Sequence, residues 1–382
     1  MKLPVTLQSG GSASWSIRVA VGVVVAAVVL WVPTRGSDSL IDICTEALVL
    51  MGAALSLNLL LGYTGQISLG HSAFFGLGVY TTAIGVTRWG WSPFWTMPVA
   101  FVVAFVVGVV VSLPALRIKG VYLALVTLAL ALVFPAFIKW PKIEWLTKGA
   151  RGIDQTGFKF NKDNPTYEIF GWNPWGNLRG QNVKPLYYWA GIVIVAVIYL
   201  ICRGLVKSRV GRSLIAIRDN STAAAVMGVN LPVTKGLVFG LSAAMCALPG
   251  CLTAIRTGTV TPDTALMTVA GSITFLVIMV VGGSGSLWGP IIGAALYQFI
   301  IEKTGDWTEP NKIPGLFRPF FGWSDTAPGS GIFALALILL MFVAPFGIVG
   351  LWRRLIVRYV TVVPQPAGTS SVPQTESAPA DA

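Results

Sequence analysis

Between Leu57 and Tyr80 the chain reads LNLLLGYTGQISLGHSAFFGLGVY, with glycine at 62, 65, 70, 76 and 78 and Asn58, Tyr63, Thr64, Gln66, Ser68 and His71 beside them. These side chains suit reversible hydrogen bonding to a polar solute rather than bond-making. A lipid-facing span is continuous helix, because hydrocarbon offers the backbone no other partner. Repeated glycine therefore implies backbone that is packed in protein or lines a polar path, as in membrane proteins that move solutes. Asn58, Gly62, Gly65, Gln66, Gly70 and His71 are candidates for that path. A second glycine run, Gly282-Gly283-Ser284-Gly285-Ser286-Leu287-Trp288-Gly289-Pro290, is a partial echo and adds Gly283 and Gly285. Plainer roles compete with these. Glycine also serves close helix packing, Asn58 can bridge two helices, and His71 can be a satisfied helix-start residue.

Covalent chemistry has little to work with. His71 is the single histidine, which excludes a multi-histidine metal site. Cys44, Cys202, Cys246 and Cys251 form no Cys-x-x-Cys pair and suggest no disulfide framework. A G-x-x-x-x-G-K-[ST] phosphate loop is absent, so ATP-driven work would need an ATPase on another chain. No catalytic residue, metal site or cofactor is expected. Glu46 lies about one turn inside an apolar run, where an ionisable group is a functional candidate by default. Its place near the outer interface would let water relieve its cost.

The elements that must position these residues are membrane spans. The chain has 382 residues, 54% hydrophobic and 11% charged, against about 25% charged in soluble proteins. The net charge of +12 comes from residues scattered between apolar runs, which leaves no basic domain for nucleic acid. The expected fold is an all-α polytopic membrane protein. Ten spans are expected at roughly 15–32, 43–61, 69–87, 94–116, 121–138, 186–202, 236–255, 266–281, 287–301 and 331–351. Residues 1–14 precede the membrane domain, 15–351, and a tail, 352–382, follows it. Basic residues crowd the short loop at Arg117 and Lys119, the 203–235 connection, and Arg353, Arg354 and Arg358. That pattern favours both termini inside. Residues 139–185, rich in Trp, Pro and Gly, read as a structured external loop. After Tyr359 the Pro/Ser/Ala composition predicts disorder.

The connection 203–235 is the most specific stretch. Ser208 to Asn220 carries Arg212, Arg218 and Asp219. Ser221-Thr222-Ala223-Ala224-Ala225-Val226-Met227-Gly228 then predicts a short helix begun by Asn220 or Ser221 and ended by glycine. Small residues let such a helix seat in a partner's groove, with Arg212 and Arg218 reaching acidic groups there. A basic loop with an amphipathic turn is the alternative.

Ala223-Ala224-x-x-x-Gly228 resembles the coupling loop of ABC importer permeases, with Thr222 at the usual glutamate position. GRSLIAIRDNSTAAAVMGVN, GYTGQISLGHSAFFGLGVY, GGSGSLWGPIIGAAL and Pro345-Phe346-Gly347 resemble the high-affinity branched-chain amino acid permease family, M-type subunit. The resemblance covers about residues 43–350. It implies a permease in a bacterial plasma (inner) membrane, paired with a second, similar but nonidentical permease as a heterodimer. Two cytoplasmic ABC ATPases and an extracytoplasmic solute-binding protein complete the assembly. Arg212, Arg218, Asp219, Ala223, Ala224 and Gly228 would couple this chain to the ATPase. A urea or short-amide importer of the same superfamily is the near alternative. An ion-coupled secondary transporter or channel is the distant one, and the scarcity of mid-membrane charges argues against it.

Overall fold

The computed structural model describes residues 5–8, 31–33, 37–116, 121–154, 184–305, 347–352 and 360–363. The expected spans at 15–32 and 331–351 lie almost wholly outside these residues, as do most of the external loop and most of the tail. The remaining eight expected spans are all helical. They are α1 (Asp38–Thr64), α2 (His71–Trp89), α3 (Pro93–Leu116), α4 (Val121–Ile138), α6 (Lys184–Lys207), α9 (Leu231–Arg256), α10 (Val269–Gly282) and α11 (Trp288–Gly305). Shorter helices are α5 (Glu144–Thr147), α7 (Arg209–Asp219) and α8 (Ser221–Val226).

The described residues thus form an all-α polytopic fold. Four helices are long and apolar enough to cross a bilayer: α1, Pro93–Leu113 within α3, α6 and α9. A fifth span arises if α4 is joined to the bent segment Pro141–Arg151. The other three fall short: α10 is apolar but only 14 residues long, and glycine and polar residues dilute α2 and α11. Ten full spans are not what the described residues display.

α9 is the centre of the bundle, packing against α1, α2, α3 and α6. Its most apolar stretch is 89% buried, against 28% for α3 and α6, which turn most of their surface outward. The reason lies in its small residues. A Cβ on Gly250 would overlap the Phe75 carbonyl of α2, and one on Gly78 would overlap the Ala247 carbonyl of α9. The two backbones therefore touch, which is how helices associate where hydrophobic driving force is weak. Gly108, flanked by valines, reads as part of a plain apolar span, yet a Cβ there would sit 2.7 Å from that of Ala243. It too is a packing glycine.

Polar ties gather at the two ends of the bundle. At one end Lys139 pairs with Asp263 (2.7 Å), Lys184 with Asp42 (2.5 Å) and Arg256 with Glu46. There β2 (Ile153–Asp154) also pairs antiparallel with β3 (Thr259–Val260). Glu46 is therefore met by a guanidinium rather than by water alone. In a separate unit made of the chain ends, β1 (Val5–Gln8) pairs parallel with β4 (Val360–Val363). Order thus extends four residues past Tyr359, beyond the point where composition predicts its loss.

Candidate functional site

The end of the bundle opposite Glu46 holds the glycine break. It is narrower than the sequence suggests, because α1 runs unbroken through Gly62 to Thr64 and α2 runs unbroken through Gly76 and Gly78. Only residues 65–70 leave the helix. Gly65 starts the turn at φ 70°, a left-handed conformation that favours glycine, and its N–H donates to the Leu61 carbonyl at 3.1 Å. Gly70 has φ −108°, so close approach is its constraint: a Cβ would lie 2.7 Å from the Thr127 carbonyl of α4.

Backbone groups freed by the break need partners, since an unmet buried N–H is costly. Hydroxyls from two helices and from the break itself supply them. Leu69 N–H donates to Thr127 Oγ1 of α4 (2.9 Å), and Ser72 N–H donates to Ser272 Oγ of α10 (2.9 Å). Gly70 N–H donates to Ser68 Oγ (3.4 Å). His71, fully buried at the first position of α2, is held at both ring nitrogens, by Ser68 Oγ (3.0 Å) and Ser242 Oγ of α9 (2.8 Å). Ser242 spends its one proton on the Ser56 carbonyl (2.6 Å), so it must accept from His71 Nε2–H. Nδ1 then accepts from Ser68. His71 is the satisfied helix-start residue, with no hydrogen-bonding capacity left for a solute.

Asn58 is bonded within the chain at both ends of its amide. Its Nδ2 donates to the Ser286 carbonyl (2.9 Å), and its Oδ1 accepts from Gly285 N–H (3.0 Å). It thus ties α1 to the turn between α10 and α11, the second glycine run. Gly62 makes room for this, because a Cβ there would overlap Asn58 Oδ1 and approach Gly285 N within 2.6 Å. Gly283, at φ 117°, lies against Gly347, whose Cβ would come within 2.5 Å of it. The two glycine runs and Gly347 therefore meet in space. Gln66 differs from its neighbours: its Nε2 is buried and has no partner among the described residues.

The 203–235 connection folds onto the same place. Ser208 caps α7 by accepting from Gly211 N–H (3.4 Å). Asn220 caps α8 by accepting from Thr222 N–H and Ala223 N–H, both 3.0 Å. The chain leaves α8 through Gly228 at φ 85°. Leu214, Ile217 and Ala224 are buried and root this arm on the bundle. Ala223 and Arg212 are exposed, and Val226 and Met227 protrude at 83% and 86% exposure. Arg218 does something the sequence reading did not anticipate. Its Nη1 donates to the Gly62 carbonyl (2.9 Å), while its Nε pairs with Asp219 (3.1 Å). Its guanidinium is thus bonded within this chain.

A family model described as "Branched-chain amino acid transport system / permease component" matches residues 39–344. The chain belongs to that family. It is 31% identical over 298 residues to the high-affinity branched-chain amino acid transport system permease protein LivM of Escherichia coli, covering 75% of this chain and 68% of that protein. LivM of Salmonella typhimurium is 31% identical over 291 residues, 73% of this chain and 66% of its own length. The ribose import permease protein RbsC of Escherichia coli is 28% identical over 148 residues, covering 38% of this chain and 43% of that protein. No solved structure matches the chain. This family member is an integral membrane permease component, a transport subunit that works with other ABC components.

Sequence reasoning missed Thr127, Ser242 and Ser272. Each is a single small hydroxyl in an apolar helix, and only the fold shows which backbone it faces.

Proposed function

We propose that this permease imports branched-chain or related amino acids in an ATP-driven complex of a bacterial plasma membrane. Its partners are a second, similar permease, two cytoplasmic ATPases that hydrolyse the nucleotide, and an extracytoplasmic binding protein. The permease itself binds no cofactor. Both chain ends lie on the cytoplasmic side: the pairing of β1 with β4 fits a shared side for the two ends, and the basic residues between spans favour the inner one.

The observation that carries this reading is the α7–α8 arm. It is rooted by Leu214, Ile217 and Ala224, and it holds out an apolar tip, Val226 and Met227, that nothing in this chain covers among the described residues. Such a tip fits an apolar groove on an ATPase, with Arg212 at its side for acidic groups. The arm sits at the same end as both glycine runs, so movement of a docked ATPase would arrive where the helices are broken. Solute preference follows the relatives: two carry branched-chain amino acids in their names, whereas the shorter match to RbsC concerns ribose.

Reconstitution in proteoliposomes tests the reading. The complex should accumulate radiolabelled leucine only with ATP and loaded binding protein present. Accumulation driven by a proton or sodium gradient without ATPase chains would overturn it.

A further inference from the structure

Helix α1 ends at the break with no basic residue in its last turn. Carbonyls at a helix C-terminus lack intrahelical donors and carry the negative end of the helix dipole. The missing cation comes from 156 positions away, as Arg218 Nη1 on the Gly62 carbonyl. Asp219 holds the other edge of the guanidinium through Nε, which fixes the direction of the fork. The Arg218 stem also packs on the turn itself: a Cβ at Gly65 would lie 3.1 Å from Arg218 Cγ. One helical turn before Gly62, Asn58 grips Gly285 and Ser286. A Cβ on Gly285 would be 3.3 Å from the Gly62 carbonyl oxygen and 3.6 Å from Arg218 Nη1. Three elements therefore converge on one carbonyl: the end of α1, the α7 arm and the α10–α11 turn.

We propose that Arg218 is the positioning residue through which movement of the α7–α8 arm reaches the membrane helices. It acts as a latch between the arm and the broken end of α1, and Asn58 passes the displacement to the α10–α11 turn. The inference rests on the importer reading and adds to it the residue that joins arm to pore. Full coupling needs the rigid donor fork, since a lysine keeps the charge but not the two-edged geometry shared between Asp219 and Gly62.

The test uses the whole complex in proteoliposomes, with uptake and ATP hydrolysis measured on the same vesicles. Arg218→Met should lower uptake per ATP hydrolysed by about 10-fold or more, the scale of losing a coupling between sites. Basal hydrolysis and complex abundance should stay near wild type. Arg218→Lys should recover part of the loss, and Arg203→Met, an exposed change on α6, should match wild type. Full coupling in Arg218→Met overturns the latch. So does a loss of uptake that only tracks reduced abundance or thermal stability, which would make Arg218 structural. Failure of the wild-type complex to import any amino acid would instead remove the importer reading. The latch is then read from alkylation of Ser286→Cys by a maleimide. That rate should rise when Arg218→Met is added, and an unchanged rate overturns the latch.

Discussion

At the scale of single residues, polar groups around the break divide into those already bonded and one that is not. Asn58 and His71 have their hydrogen-bonding groups committed within the protein. Replacing either strands buried partners at a cost of about 1–3 kcal/mol for each unmet group. His71→Ala and Asn58→Leu should therefore fail by losing abundance and thermal stability in detergent. Gln66 Nε2 has no such commitment. Gln66→Leu should keep normal abundance while lowering the rate or apparent affinity of uptake, because a spare buried donor in a native fold calls for a functional partner. Unchanged transport kinetics in Gln66→Leu would remove it from the path. At the opposite end, Glu46 and Arg256 are each about three-quarters buried. Glu46→Ala should lower stability more than the Glu46→Ala, Arg256→Ala pair, because the single change leaves a cation without its counter-charge. Thermal unfolding of the three variants measures the difference.

At the scale of elements, the break and the arm make separate demands. Gly65 needs a positive φ, and Gly70 needs backbone contact with α4. Gly65→Leu and Gly70→Leu should both depress uptake at matched membrane abundance. Gly108 is a poor comparison because it packs on α9. Gly204, where a Cβ would meet nothing within 4 Å, is the suitable one, and Gly204→Leu should transport normally. If Gly65→Leu and Gly70→Leu match Gly204→Leu, the break has no part in transport. On the arm, Val226→Glu with Met227→Glu alters only protruding side chains. Uptake should be lost through failed assembly with the ATPase while this chain still reaches the membrane. Co-purification of the ATPase with that variant at wild-type yield would remove α8 as the docking tip. Ala224→Glu is less informative, since Ala224 is buried and its change would unseat the arm itself.

At the scale of the whole molecule, the structure sorts its ties by end. Glu46, Asp42, Lys139, Arg256 and Asp263 gather at one end, and the break, the arm and the α10–α11 turn gather at the other. With the arm on the cytoplasmic side, Ser213→Cys should react with a membrane-impermeant maleimide only in inside-out vesicles. Reaction in right-side-out vesicles would invert the orientation. Purified alone, the chain should not hydrolyse ATP. Hydrolysis should appear when the ATPases join and rise with loaded binding protein.

Membrane class, the eight described helices and the α8 caps were legible in the sequence because their causes are local. Apolar runs make spans, Asn220 sits next to the amides it caps, and glycine supplies the positive φ at Gly65 and Gly228. Ser242 and Thr127 carried no such signal, since a hydroxyl in an apolar helix says nothing about which carbonyl or amide it will meet. Nor could Arg218 be assigned from its neighbours, which present a basic loop suited to a partner. Its acceptor is 156 residues away, and the acceptors and donors of Asn58 are 227 and 228 away. Those pairings exist because α1 packs against α10, α11 and α7, which brings the two glycine runs and the arm to one end. Local chemistry wrote the helices and their caps, and long-range packing decided which of their polar groups were consumed in holding the fold.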